Sequence, residues 1–295
     1  MFRTLHPVVW AFDCEWVPCA RAGRLLLGLD PATPEPAVFG ALWAAAGATP
    51  DRPRPFLPLA RCRLASVAVV ERRARPDGAV AVALCSAPRD PGATEAETLR
   101  PFLDGLARRR PQLVGFHSHA SDLPLVRQRA FALGVEAPGL CRRPDRPWSG
   151  PDYGHPYNDW NVDLLRALGG RRGPSSVSLA DLAALSGVPA KLGIDGPASG
   201  ADVADLWLDG RREAVRAYNE CDAVTTYLLW LRAARMAGLF TDREHAAEEG
   251  RVEVLLERHA ERGDGHLAAF LDRWRALPDH PLRDAARPLA DAPVR

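Results

Sequence analysis

VVWAFDCEWV, residues 8–17, is an almost unbroken run of β-branched and aromatic side chains. Such a run reads as a strand buried on both faces, the habit of a strand inside an α/β sheet. Only Asp13 and Glu15 disturb it. Two apart on a strand, they leave the same face, with Cα atoms about 6.6 Å apart at ~3.3 Å per residue. Two anions that close among apolar neighbours are costly unless a cation offsets them. Taken alone, the pair also fits a strand end that reaches solvent.

Outward from this run, eight prolines between Pro18 and Pro58 mark a surface insertion with one short helix predicted around Val38–Ala46. Cys62–Val70 and Ala79–Cys85 read as strands joined by the turn Pro76-Asp77-Gly78, which completes a three-strand meander. Leu99, Phe102, Leu103 and Leu106 share one helical face; Pro101 predicts a start near Thr98, and Pro111 closes the helix. Leu113–Phe116 reads as a short strand leading into a helix over Pro124–Leu133, stopped by Gly134. After a long loop, Ala137–Trp160, helices are expected over Val162–Leu168, over Leu179–Leu185 behind the capping pair Ser178 and Asp181, and from about Arg211 to Ala237. A charged helical tail (Arg243–Leu277) and a Pro-rich end follow. This order predicts an α/β protein, a mixed β-sheet with flanking helices.

The 295 residues are 47% hydrophobic and 25% charged, which excludes a disordered chain, a collagen and a coiled coil. A formal net charge of +1 gives no global field toward nucleic acid or membrane, so a phosphate-bearing substrate must be held locally. Six cysteines without a CxxC pair indicate reduced thiols. The apolar run before Asp13 is far too short for a signal peptide or a membrane span, and a cytoplasmic protein is expected.

Three further acidic or phenolic positions stand out. Asp122 follows a strand and precedes Leu123-Pro124, where a helix N-cap would also suit it. Tyr218 and Asp222 are four apart on the long helix and share a face, which a buried Tyr–Asp hydrogen bond would equally explain. Asp13, Glu15, Asp122 and Asp222 together suit two-metal phosphoryl hydrolysis, in which carboxylates hold two Mg²⁺ or Mn²⁺ ions about 3.5–4 Å apart. Four carboxylates against two divalent ions leave a neutral site that can accept a phosphodiester.

Phe12-Asp13-Cys14-Glu15, Ser121-Asp122-Leu123-Pro124 with Arg129-Ala130, and Tyr218-Asn219-Glu220-Cys221-Asp222 resemble the three motifs of DEDDy 3′-5′ exonucleases of the RNase H-like superfamily. More narrowly, the chain is similar to the predicted 3′-5′ exonucleases related to the proofreading domain of family-B DNA polymerases. Val162-Asp163-Leu164, Ser178-Leu179, Gly187–Lys191, Asp195-Gly196 and Ala223–Leu228 carry that narrower resemblance, which spans about Val8 to Arg232.

The resemblance implies an RNase H-like exonuclease domain over residues 1–240, with a variable insertion at about 18–58. A helical extension and Pro-rich tail would occupy 241–295. It also implies a two-metal 3′-5′ exonuclease acting on the 3′ end of single-stranded DNA or RNA, DNA favoured. Asp13, Glu15 and Asp222 would bind the metal that activates water. Asp13 would also touch the second ion, which Asp122 would hold largely through water. Tyr218 would orient the attacking water, and Lys191 would contact a substrate phosphate. Asp163 is expected either beside the site or as a helix cap. Relatives usually carry Asn-Gly and then Phe before the second-motif Asp, where this chain has His117-Ser118 and Ser121. They carry a small polar residue where it has Trp16, so the terminal-nucleotide pocket is expected to differ.

Two rivals remain: an RNA 3′-end trimming enzyme similar to ribonuclease D, and a catalytically silent module that binds nucleic-acid ends. His117 and His119 flank the second motif and suit local hydrogen bonds. Cys14 and Cys19 lack a second pair for zinc. The clusters Arg72-Arg73, Arg108–Arg110, Arg142-Arg143 and Arg171-Arg172 read as solvated charge. Trp148, Tyr153, Tyr157 and Trp160 are candidates for stacking on unpaired bases or for loop packing.

Overall fold

β1 (Val8–Pro18) is the central strand of a five-stranded sheet. The computed structural model describes residues 4–146, 149–155, 158–169, 177–193, 196–197 and 202–277. Trp148, Tyr157, Arg171, Arg172, Asp195 and the tail 278–295 lie outside them. β1 pairs antiparallel with β2 (Cys62–Ala74), which pairs antiparallel with β3 (Val80–Ala87). On its other edge β1 runs parallel to β4 (Gln112–Gly115), and β4 runs parallel to β5 (Asn161–Asp163). The order β3-β2-β1-β4-β5, with β2 antiparallel to its partners, makes the mixed α/β sheet with flanking helices that the order of elements predicts.

Alternation along β1 divides the core in two. Trp10, Phe12 and Cys14 face one cluster, built with α3 (Glu95–Arg109) and α4 (Asp122–Leu133). Val9 and Ala11 face the other, built with α7 (Leu179–Leu185), α9 (Arg212–Met236), α10 (Asp242–Glu261) and α11 (Gly265–Ala276). Asp13 and Glu15 share the parity of Val9 and Ala11, so they look toward α9. The helices beyond residue 240 bury Val252, Leu256, Phe270 and Trp274 in this second cluster. They also pin the middle of α9: His266 meets the Glu220 carboxylate at 2.6 Å, and Ser86 and Arg216 donate to its other oxygen. Burial alone would raise Glu220, but these hydrogen bonds and the Arg216 charge hold its pKa below the usual range.

Several local expectations are corrected. The insertion holds two helices, α1 (Ala20–Leu27) and α2 (Glu35–Ala45), not one. α3 starts at Glu95 despite Pro101, because a capping box between Thr94 and Glu97 satisfies its first turn while Leu99, Phe102, Leu103 and Leu106 are buried. The loop after Ala137 holds the four-residue α5 (Pro138–Cys141). Val162 belongs to β5, too short for a period to show, and the helix α6 (Leu164–Leu168) begins after it. Arg72 is not solvated: it is 4% exposed and donates two hydrogen bonds to Glu248 of α10. Tyr153 is buried with its hydroxyl on the Pro111 carbonyl, and Trp160 packs edge-on against Tyr153 and His6. Cys14, Cys19, Cys62 and Cys221 are buried free thiols.

Candidate active site

β1 runs past the end of β4, and that difference in length makes room for the site. The last rung of the parallel ladder joins Ala11 to Val114, so the Cys14 amide lies beyond it. That N–H is taken by Asp122 Oδ1 at 3.0 Å, after the chain turns through His117–Ser121 into α4. Asp122 is therefore the first residue of α4 and does not cap it; Ser121 holds the cap position, and its hydroxyl donates to Asp122 Oδ2 at 2.7 Å.

The turn itself is stapled from β5. Asp163 accepts from the His117 and His119 amides, caps α6 through Leu165 and Arg166, and so unites its two expected roles. His117 takes a left-handed conformation, φ 66°. Gly115 is required just before it, since a Cβ there would lie 2.5 Å from Ser118 Cβ.

α9 closes the site from the other side. Tyr218, Asn219 and Asp222 are at most 2% exposed. Asn219 Nδ2 donates to Asp13 Oδ2 at 2.7 Å, and its own carbonyl oxygen accepts from Ser66 of β2 at 3.0 Å. One amide thus fixes the strand acid to the helix that carries the other acid. Lys191, at φ 58°, sends Nζ to Tyr218 Oη at 2.7 Å and to Asp222 Oδ2 at 2.5 Å.

Asp13, Glu15 and Asp222 each bring an oxygen within 4.8 Å of the others. Asp122 lines the same cleft but is outside that trio, with both oxygens already accepting. The electrostatics are those of crowded buried anions. Burial, then the charges of Glu15, Asp122 and Asp222, push Asp13 well above the carboxylate range, against Lys191. Burial and Asp222 push Glu15 up to about 8. Asp122 rises to about 6, where burial outweighs its hydrogen bonds. Burial opposes the Lys191 ammonium, but Asp222, Asp13 and Glu15 keep its pKa above the usual value. Tyr218 is raised far up by burial and its carboxylate neighbours, so it stays a neutral hydroxyl.

The residues fit a divalent cation by the test of the orphaned atom: Asp222 Oδ1 is buried and has no hydrogen-bond donor. A buried carboxylate oxygen left bare is costly unless something positive meets it. Hard oxygen donors in a close trio suit Mg²⁺ or Mn²⁺.

The six site residues expected from sequence, Asp13, Glu15, Asp122, Lys191, Tyr218 and Asp222, all line one open cleft of about 800 Å³. Asn219 and Ser66 carry a structural share of the site that sequence reasoning missed. Asn219 sat inside a quoted motif, yet no spacing shows a bond that crosses from helix to strand.

No curated protein matches the chain in a sequence search. Among solved structures, the family B DNA polymerase from the hyperthermophilic archaeon Pyrobaculum calidifontis is similar at 18% identity and a TM-score of 0.43, over 88% of this chain and 29% of the polymerase. The chain thus spans less than a third of that polymerase. No helix among the described residues is long and apolar enough to cross a membrane. Residues 54–274 match the family described as predicted 3′-5′ exonuclease related to the exonuclease domain of PolB; β1, with Asp13 and Glu15, precedes the matched stretch. With well over half of its length matched, the chain belongs to that family of predicted 3′-5′ exonucleases.

Proposed function

We propose that this protein hydrolyses the terminal phosphodiester at the 3′ end of single-stranded nucleic acid, DNA in preference to RNA, with two divalent ions held by Asp13, Glu15, Asp122 and Asp222. The observation that carries the proposal is the trio Asp13, Glu15 and Asp222 with the bare Asp222 Oδ1 among them. Divalent ions bound there would activate water and stabilise the leaving oxygen. Asp13, Glu15 and Asp222 would hold the first ion, Asp13 would also serve the second, and Asp122 would hold that second ion largely through water. The Asn219 bond keeps Asp13 aimed into the site.

Burial and the neighbouring carboxylates keep Tyr218 a neutral hydroxyl, which suits it to orient the attacking water and not to take a proton from it. Lys191 supplies a positive point charge beside the carboxylates, of the kind that would meet a substrate phosphate oxygen. Residues 1–240 would form the exonuclease domain and 241–295 its helical extension and Pro-rich tail, in a cytoplasmic protein.

Tyr218→Phe removes the hydroxyl and keeps the ring. It is expected to slow turnover about 10–100-fold with Mn²⁺ affinity within about twofold of wild type, from paired kinetics and calorimetry. The function itself is tested with 5′-labelled single strands of DNA and RNA of one sequence, in Mg²⁺, Mn²⁺ or EDTA. A metal-dependent ladder that shortens from the 3′ end is the expected result. Shortening of RNA alone would favour the ribonuclease D-like reading, and no shortening of either strand by folded protein would leave the silent binding module.

A further inference from the structure

The cleft that holds the carboxylates does not end with them. Its lining continues onto the insertion between β1 and β2, through Trp43, Arg52, Arg54 and Phe56, and onto Trp16 of β1. An antiparallel pair needs only about 2–5 residues to turn. This one spends two helices and a proline-rich segment instead, most of them outside the stretch matched to the family.

The segment is built to present side chains. Pro55 and Leu57 are buried while Phe56 between them is 54% exposed, so its ring is held out of the core by its own neighbours. Prolines at 53, 55 and 58 limit the backbone freedom that presenting it would otherwise cost. Trp43 is half-buried, edge-on to the fully buried Phe39, and Arg54 lies over its ring at 5.4 Å. Arg54 also donates two 2.6 Å hydrogen bonds to Asp205 of α8 (Val203–Leu208), which ties the insertion to the main body. A tight turn, closed by two backbone hydrogen bonds between Thr49 and Arg52, presents Arg52 at the cleft.

Fixed aromatic rings beside arginines are the chemistry that holds unpaired bases and their phosphates. We infer that the insertion seats the nucleotides upstream of the scissile bond, with Phe56 and Trp43 stacking on unpaired bases and Arg52 meeting a backbone phosphate. This seat rests on the nuclease reading of the adjoining carboxylates. It favours single strands because a base in a duplex offers no free face. It also gives a chain of net charge +1 a local hold on a polyanion.

The test is fluorescence anisotropy with 5′-fluorescein phosphorothioate pentathymidylate and the matching dinucleotide, in Mn²⁺. The proteins are wild type, Phe56→Ala and Arg52→Gln, both substitutions being at exposed positions. Each variant is expected to bind the pentamer about tenfold more weakly and the dinucleotide unchanged. Arg52→Gln should also flatten the salt dependence by about 0.7 in log–log slope. Hydrolysis of thymidine 5′-(p-nitrophenyl phosphate), which has no upstream nucleotide, should stay at the wild-type rate. Pentamer binding within twofold of wild type in both variants, or no pentamer binding by wild type, overturns the seat. If wild type leaves the ester intact while both variants lose the pentamer, the seat stands and the catalytic reading falls.

Discussion

Asp222→Asn is expected to lower strand-shortening turnover at least about 10³-fold, with the thermal midpoint of the metal-free protein kept or raised. Asn preserves the shape of a side chain that is 2% exposed, so no cavity opens in α9. What disappears is a charge whose Oδ1 has no donor and whose Oδ2 takes Lys191. Ion-held charge stabilisation in a transition state is worth several kcal/mol, and each ~1.36 kcal/mol is a factor of ten in rate. In the metal-free protein the substitution relieves crowding with Asp13 and Glu15, although the half-buried Lys191 loses its closest counter-charge. Asp13→Ala should fall as far in activity, and it also strands Asn219 Nδ2. Initial rates on a 5′-labelled strand beside a thermal melt check both; full residual activity in either variant contradicts the assignment.

Loss of stability with rising pH is the second large effect expected of the metal-free protein. Glu15 rises from about 4.5 to about 8 on folding, Asp122 rises to about 6, and Asp13 moves the same way. Between those limits the folded chain holds protons that the unfolded chain has released. The contribution of these carboxyls is therefore fully present below about pH 3.8 and is lost as pH climbs through about 8. One retained proton is worth ~1.36 kcal/mol per pH unit, so the midpoint is expected to fall between about pH 6.5 and 8, where Glu15 still holds its proton. Glu220 is lowered, so its contribution fades only as pH falls below the ordinary carboxylate range, whereas His119 and His245, lowered by burial, gain stability as pH rises to about 6.5 and oppose the loss below that point. Mn²⁺ should restore the midpoint most strongly at pH 8, where its ligands are already ionised. Melts across this pH range, with Mn²⁺ and with EDTA, check it; a flat or rising midpoint in EDTA contradicts the crowded-anion picture.

Much of this site is legible in the sequence because strand and helix periods are rigid. Asp13 and Glu15, two apart on a strand, must share a face, and Tyr218 and Asp222, four apart on a helix, must share another. The sheet followed from strands whose runs reach four residues or more. β5, at three residues, carries no period to read, and its register with β4 rests on neighbours that already stand in place. The start of α3 was hidden because Pro101 outweighs a capping box when only local propensity is read, while burial of four apolar side chains decides it in the folded chain. Asn219 and Ser66 join the site through contacts across 153 and 206 positions, which no local pattern encodes. The seat on the insertion was equally hidden: prolines announce a loop, but not that Phe56 would be turned outward beside the carboxylates.

Calorimetric titration of the metal-free protein with Mn²⁺ at pH 7.5 tests the central claim most directly. Two ions per chain are predicted for wild type and at most one for Asp222→Asn. The proton held by Glu15 should be released as the metal enters. A folded wild-type protein that takes up no Mn²⁺, or that takes it up unchanged in Asp222→Asn, would contradict the claim that these carboxylates form a metal-dependent nuclease site.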